Sequence, residues 1–278
     1  MLIASYNIQW GTGKDGRVDL DRIAGDLGGA EVIALQEVDR FWTRSGMTDQ
    51  ATEIARRFPE HHWVYGPAMD LDADGDDTAG RVAHRRRQFG NMVLSRHPIL
   101  STRTHPLPKL NLPEALSLHR SALEAVIARP TGPLRVYSVH LGHGAAAERI
   151  GQIERLREIV DTAPREGGAW TGRRYAPVWA LDSQQPPMPE PAIVLGDFNC
   201  TPDSAEYRRM VAAGDLFDAW SMAGTGDAAG WTCQVDSGPV RIDYAFLSPD
   251  LQGKARAMRV DHQAQGSDHQ PIWLDLDL

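Results

Sequence analysis

Short apolar runs that stop on a polar residue recur along the whole chain, and they limit its fold more than any other feature. Leu2–Asn7 alternates apolar and polar residues and closes on Asn7, and the apolar run Glu31–Glu37 closes on Glu37. Leu134–His140 ends on His140, and Ala192–Gly196 runs into Asp197 and Asn199. Runs of this length and pattern read as strands, as do Gly90–Arg96 and Ala122–Ala128. Later runs reverse the order. Asp243 opens the strand Ile242–Leu247, Ala255–Val260 follows, and Asp268 and His269 directly precede Pro271–Leu276. If these later strands run antiparallel to the earlier ones, all the polar positions collect on one edge of the core.

Four amphipathic segments predict helices: Leu20–Leu27, Asp49–Phe58, Ala145–Thr162 and Ser204–Ala213. In the longest, Ile150, Ile153, Leu156, Ile159 and Val160 form one apolar face, and Pro164 is expected to end it. Strands interspersed with a few helices predict α/β layers around sheets. The 278 residues suffice for one domain spanning 1–278. Residues 165–191, with three prolines between 186 and 189 and the tryptophans Trp170 and Trp179, have no clear period and read as a loop insertion.

Gathered on one edge, Asn7, Glu37, His140, Asp197, Asn199, Asp243, Asp268 and His269 make a polar cleft whose residue types suit phosphoryl transfer. Hard divalent cations take oxygen ligands and keep several waters, so one or two carboxylates such as Glu37 suffice. A histidine beside a carboxylate is held in one tautomer and trades a proton near neutral pH. Amide and imidazole donors stabilise charge on phosphoryl oxygens.

Seven segments then occur in a telling order: Ser5-Tyr6-Asn7-Ile8-Gln9, Leu35-Gln36-Glu37-Val38-Asp39, Gly90-Asn91-Met92-Val93-Leu94-Ser95-Arg96, Val139-His140-Leu141, Gly196-Asp197-Phe198-Asn199, Arg241-Ile242-Asp243-Tyr244 and Ser267-Asp268-His269. Together, across residues 2 to 275, they resemble the endonuclease/exonuclease/phosphatase superfamily, which includes DNase I, abasic-site endonucleases, neutral sphingomyelinases and inositol polyphosphate 5-phosphatases. The resemblance implies a four-layered αββα sandwich of two mixed, mainly antiparallel sheets, with Mg²⁺ or Mn²⁺ in the cleft. It implies Glu37 as principal metal ligand, with Asn7 and Asp268 near the metal. It also implies that Asp243 orients His269, that Asp197 and Asn199 position the attacking water, and that His140 holds a phosphoryl oxygen. Asp197 and His269 both stand as candidates for the general base.

The expected activity is hydrolysis of a P–O bond, on a small or lipid-headgroup phosphoester, by in-line attack of water. Arg85, Arg86, Arg87 and Asn91 are the candidate substrate-binding residues. A DNase I-like or abasic-site endonuclease is the alternative, and a non-catalytic scaffold of the same fold a third. The family's abasic endonucleases carry a Tyr–Asn pair where this chain has Val139-His140-Leu141, which weighs against that activity. The formal charge of -8 opposes tracking along extended nucleic acid, whose affinity comes from neutralising phosphates. Nucleic acid remains open as a substrate but disfavoured.

Other features are weaker. Asp70, Asp72, Asp74 and Gly75 match the opening of a calcium loop, but Arg81 stands where the bidentate Glu is required. Cys200 has no assigned activating base and reads as a packing residue. With two cysteines a disulfide framework is not expected. No apolar run approaches the length of a membrane span, and no basic leader precedes the first strand, so cytoplasmic residence is expected. Oligomeric state is not legible.

Overall fold

A computed structural model describes residues 1–73, 85–172, 185–223 and 230–278 of the chain. In chain order the elements begin with β1 (Leu2–Asn7), α1 (Leu20–Asp26), β2 (Val32–Arg40), α2 (Gln50–Arg57), β3 (His62–Asp72), β4 (Arg86–Ser95) and β5 (Ile99–Pro106). They continue with β6 (Ser121–Ile127), β7 (Leu134–His140), α3 (Ala146–Glu166), β8 (Ala192–Asp197), α4 (Ala205–Val211), β9 (Phe217–Asp218) and α5 (Ala219–Ala223). β10 (Cys233–Val235), β11 (Gly238–Val240), β12 (Asp243–Leu247), β13 (Ala255–Val260) and β14 (Ile272–Leu276) complete the set.

Two six-stranded sheets form, in the orders β13-β14-β1-β2-β4-β3 and β5-β6-β7-β8-β12-β9. The parallel pairs are β1 with β2 and β7 with β8; all other neighbours are antiparallel. Strand period then sorts side chains into layers. Ile3, Val32, Ala34 and Val93 of the first sheet meet Leu123, Val136, Ile193 and Ala245 of the second. The opposite face of the first sheet, through Ala4, Tyr6, Ile33 and Leu35, packs on Ile23, Ala51 and Ile54 of α1 and α2. The outer face of the second, through Tyr137, Val139 and Val194, packs on Ile153, Leu156 and Met210 of α3 and α4. The architecture is an αββα sandwich, and central strands buried on both faces explain their apolar runs.

Three boundaries depart from sequence expectation. β4 starts at Arg86, not Gly90, because β3 pairs with its charged first half, Asp72 opposite Arg86 and Asp70 opposite Gln88. Asp70 and Asp72 are therefore strand residues; Asp74, Gly75 and Arg81 lie outside the described ones. Within the 165–191 insertion, residues 173–184 and with them Trp179 are also outside, while Trp170 is half-buried. The strands β3 and β5 are not expected from the sequence: both are edge strands, β3 without a regular burial period and β5 alternating half-buried and exposed residues in a mostly polar segment.

The third departure is α3, which runs through Pro164 to Glu166. Proline lacks the N–H that would bond the Val160 carbonyl, a loss that ordinarily breaks a helix. Here Arg135, buried at the start of β7, supplies the donor: Nη1 reaches Val160 O at 2.7 Å and the Tyr137 hydroxyl at 3.0 Å, and Nη2 reaches Glu190 O at 2.8 Å. Arg135→Met would fill the space but take the donor from the buried Val160 carbonyl and Tyr137 hydroxyl, at roughly 1–3 kcal/mol each. We expect a loss of about 2–4 kcal/mol in urea unfolding. A loss below about 0.5 kcal/mol would mean that water serves the carbonyls equally well.

Candidate active site

Strand directions bring the predicted edge together. β1, β2, β7 and β8 end where β12 begins and β14 is entered, with Asp243 directly opposite Asp197 in the ladder. The approach of β7 and β8 is close at this edge: a Cβ on Gly196 would lie 1.9 Å from Val139 O. Gly196, at φ 144°, is the residue that lets Asp197 stand beside His140.

Two residues at the edge take left-handed backbone without being glycine, Glu37 at φ 59° and Asn199 at φ 50°. Glu37 sits where the β2–β4 register slips between Leu35 and Val38, so a bulge turns its carboxylate out of the sheet. In Asn199 the turn is fixed by its own amide, which donates to Asp197 Oδ1 at 2.8 Å. Such strain persists only where surroundings enforce it, and it concentrates at functional sites.

The centre is the Asp197 carboxylate. Its Oδ2 accepts from Asn7 Nδ2 at 3.0 Å and Asn199 Nδ2 at 3.3 Å, and lies 3.2 Å from His140 Nε2 and 3.7 Å from His269 Nε2. Asn7 Nδ2 also reaches Glu37 Oε1 at 3.3 Å, while Asn7 Oδ1 accepts from Gln9 N. Asn7 thus presents its amide nitrogen, not its oxygen, to the two carboxylates. His269 Nδ1 is 2.8 Å from Asp243 Oδ2. Asp268 is exposed at the rim, where its Oδ2 accepts from Gln9 Nε2 at 2.9 Å.

Arg120 completes the set. It is buried, and Nη1 lies 3.0 Å from His140 Nδ1, with Nη2 3.4 Å from His143 Nδ1. A guanidinium only donates, so Nδ1 of His140 is unprotonated and Nε2–H points at Asp197. Burial and the nearby Arg120 push His140 down to about 4, so it is neutral. His269 behaves oppositely: burial disfavours its charge, but Asp243 and Asp197 outweigh that and hold it well above its ordinary value. Burial opposes the charge on Asp197 too, yet the two histidines keep it ionised and far below the ordinary range. Burial pushes Glu37 up to about 7 despite Arg120 and His269. Cys200 is buried and its thiol is pushed up to about 11 by that burial, as expected of a packing residue.

Sequence reasoning missed Arg120, yet the rule that found Asp243 applies to it. β6 runs antiparallel to β7, with Ala122 opposite Val139, so the residue before β6 lies at the end of β7. The arginine triplet divides. Arg86 pairs with Asp70 at 2.8 Å on β3, whereas Arg85 lies over the Phe41 ring and Arg87 over Trp42. Asn91, expected at the substrate, is instead buried between the sheets, donating to Ser121 O at 2.8 Å and Ser138 O at 3.0 Å. Its place on the inward face of β4 makes it a clip across the sandwich.

The donor set suits a hard cation better than zinc. No group of three or more His, Cys, Asp or Glu forms a ligand cage among the described residues. Glu37 Oε2 has no hydrogen-bond partner among them, on a nearly buried carboxylate. One free carboxylate with water access meets the needs of an ion of the Mg²⁺ type.

Comparison with known proteins identifies the family and the fold. The model of the endonuclease/exonuclease/phosphatase family matches residues 4–269. Among curated proteins no relative matches the chain. Solved structures do: an endonuclease/exonuclease/phosphatase from Bacteroides vulgatus superposes with a TM-score of 0.70 at 18% identity, covering 100% of this chain and 98% of that one. A mannosyl-6-phosphatase of Bacteroides thetaiotaomicron VPI-5482 gives 0.69 at 18%, covering 100% of both. A 3′ phosphatase from Neisseria bound to product DNA hairpin gives 0.61 at 16%, again covering 100% of both. With the family model spanning nearly its whole length, the chain belongs to the endonuclease/exonuclease/phosphatase family, hydrolases that act on phosphoester bonds.

Proposed function

We propose that the chain hydrolyses a compact phosphoester by in-line attack of water, with Asp197 orienting the water and His269 holding a phosphoryl oxygen. The observation that carries the reading is the Asn7 amide, which bonds both Glu37 and Asp197 and so spaces two carboxylates by a single side chain. Asp197, kept ionised, accepts a hydrogen from the attacking water. His269, kept cationic by Asp243, donates to the phosphoryl oxygen as its charge grows. His140, neutral and fixed in one tautomer by Arg120, fixes the Asp197 carboxylate. Asn199 and Asn7 complete that positioning, and Arg120 adds positive charge behind the site.

A divalent cation, Mg²⁺ or Mn²⁺, would be held by Glu37 with Asp268 at the rim, and would supply Lewis-acid charge to the phosphoryl group. A compact substrate is favoured because the formal charge of -8 repels extended polyanions. The fold is shared with a sugar phosphatase and with a 3′ phosphatase bound to DNA, so the chemistry of either neighbour is within its reach. No helix among the described residues is long and apolar enough to cross a membrane.

The test is a panel of sugar phosphates, nucleoside phosphates, phospholipid headgroup diesters, 3′-phosphorylated oligonucleotide and supercoiled plasmid, with Mg²⁺ or Mn²⁺ and with excess EDTA. The expected result is turnover of a small ester, abolished by the chelator. Turnover persisting in EDTA would remove the metal. Plasmid nicking faster than any small ester at physiological ionic strength would make the protein a nuclease.

A further inference from the structure

Three hydrogen bonds lead outward from Asp197. His140 Nε2–H points at the carboxylate, Arg120 Nη1 donates to His140 Nδ1 at 3.0 Å, and Arg120 Nη2 donates to His143 Nδ1 at 3.4 Å. The first two belong to the site already described. The third ends on an exposed imidazole that none of the roles above uses. Because a guanidinium only donates, Nδ1 of His143 is an acceptor and its proton sits on Nε2. Partial burial and the charge of Arg120 push His143 below its ordinary value, so the ring is neutral at pH 7. Its Nε2–H has no partner among the described residues.

An exposed loop histidine ordinarily swings freely, yet this one is held from below. Gly142 N donates to Gln152 Oε1 at 2.7 Å, and Arg149 Nη1 reaches Gly142 O at 3.2 Å and His143 O at 3.1 Å. Arg149 is fixed in turn by Glu206, whose Oε1 accepts from Nε at 3.0 Å and from Nη2 at 2.8 Å. The segment is packed close on both sides: a Cβ on Gly142 would lie 2.3 Å from Glu148 Oε1, and one on Gly144 2.9 Å from Leu116 O. Backbone and ring are thus both tied, and the Nε2–H edge is left for another molecule. A donor held in this way takes an oxygen without losing side-chain freedom.

Strand order gives its place. Asp197 ends β8, which lies between β7 and β12. Asp243 and His269 stand on the β12 side, and His140, Arg120 and His143 on the β7 side. One cationic and one neutral imidazole donor therefore flank the carboxylate. A phosphomonoester carries three terminal oxygens and a diester two. With one oxygen at His269 and one beside the cation at Glu37, a monoester has a third left over. Resting on the phosphoesterase reading, we propose that His143 is a substrate-contacting residue whose Nε2–H holds that third oxygen, so that the site prefers phosphomonoesters to phosphodiesters. In a diester the same position carries the second ester oxygen, a poorer acceptor with a substituent where the ring stands.

The experiment measures kcat/KM, with Mg²⁺ present, on two matched pairs: p-nitrophenyl phosphate with its methyl ester, and the best monoester of the panel with its methyl ester. The members of a pair differ only in whether the third oxygen is free. The wild type should favour the monoester. In His143→Ala, kcat/KM on the monoester should fall by about tenfold or more, as one hydrogen bond to a charged oxygen supplies, while the diester stays within about twofold of wild type. His143→Gln, whose amide can accept from Arg120 and donate outward, should restore most of the preference.

His143→Phe keeps the bulk without the N–H and should behave as the alanine variant, and it decides the matter should that variant fail to fold. Equal losses on both esters would make His143 a prop for Arg120 and overturn the contact. So would a loss below about twofold on the monoester, or a wild type that prefers the diester. No turnover of any member of either pair removes the phosphoesterase reading beneath it.

Discussion

Asp197→Asn should lower kcat/KM on the best substrate of the panel by about a thousandfold or more, while the protein stays folded. The substitution keeps the shape and removes the charge, so packing is not the cause of the loss. Both oxygens of Asp197 act as acceptors: Oδ1 towards the Asn199 amide, Oδ2 towards Asn7, Asn199 and the His140 Nε2–H. An amide in either orientation points its own NH₂ at a donor. Asn7 or Asn199 must then turn away, and the alignment of the attacking water goes with it. His269 also loses one of the two carboxylates that keep it cationic. Single-turnover rates with a thermal melt check this. Activity within about tenfold of wild type in a folded variant would make Asp197 a structural residue only.

Glu37→Gln should cost about as much activity, by a different route. The expected signature is an increase of at least about tenfold in the Mg²⁺ concentration for half-maximal rate, beyond the lower kcat, since ligands matter more than the outer-shell groups worth 10–100-fold. Stability should move the other way. An acid whose folded pKa lies above its unfolded one is destabilising once ionised; the effect is absent below the ordinary carboxylate range and complete above about 7. In metal-free protein, raising the pH from 4.5 to 7 should therefore lower the Tm of wild type relative to the Glu37→Gln variant. Added Mg²⁺ should raise the Tm of wild type and leave the variant unmoved. Equal Mg²⁺ shifts in both proteins would place the cation elsewhere.

Both effects trace to a conflict between burial and charge that is built into the site. Glu37 is pushed up although its side chain keeps some exposure, while the more deeply buried Asp197 is held down. Asp197 has two imidazoles against it, and Glu37 has a single amide hydrogen bond with Arg120 further off. The group left without a close cation is the one placed to receive one.

Much of the edge was legible in the chain itself. Strand period and polar stops are local properties, so Asn7, Glu37, His140, Asp197, Asp243 and His269 could be assigned to one edge once antiparallel return was assumed. The apolar faces of the helices were equally local, and with them α/β layers around sheets; the four-layered sandwich followed from the family resemblance. What no local pattern carries is which groups touch. Arg44 meets the Phe89 ring, 45 residues on, and Asn91 turns inward because Ser121 and Ser138 bring two carbonyls to it. Arg86 and Arg87 turn to opposite faces because successive strand residues alternate, and Asp70 of β3 pairs with Arg86. α3 survives Pro164 because a guanidinium from β7 replaces the missing donor. Position along a strand is set by neighbours in sequence. Protonation, tautomer and hydrogen-bond partner are set by desolvation and charges that only the folded chain assembles, and those the tertiary structure alone decided.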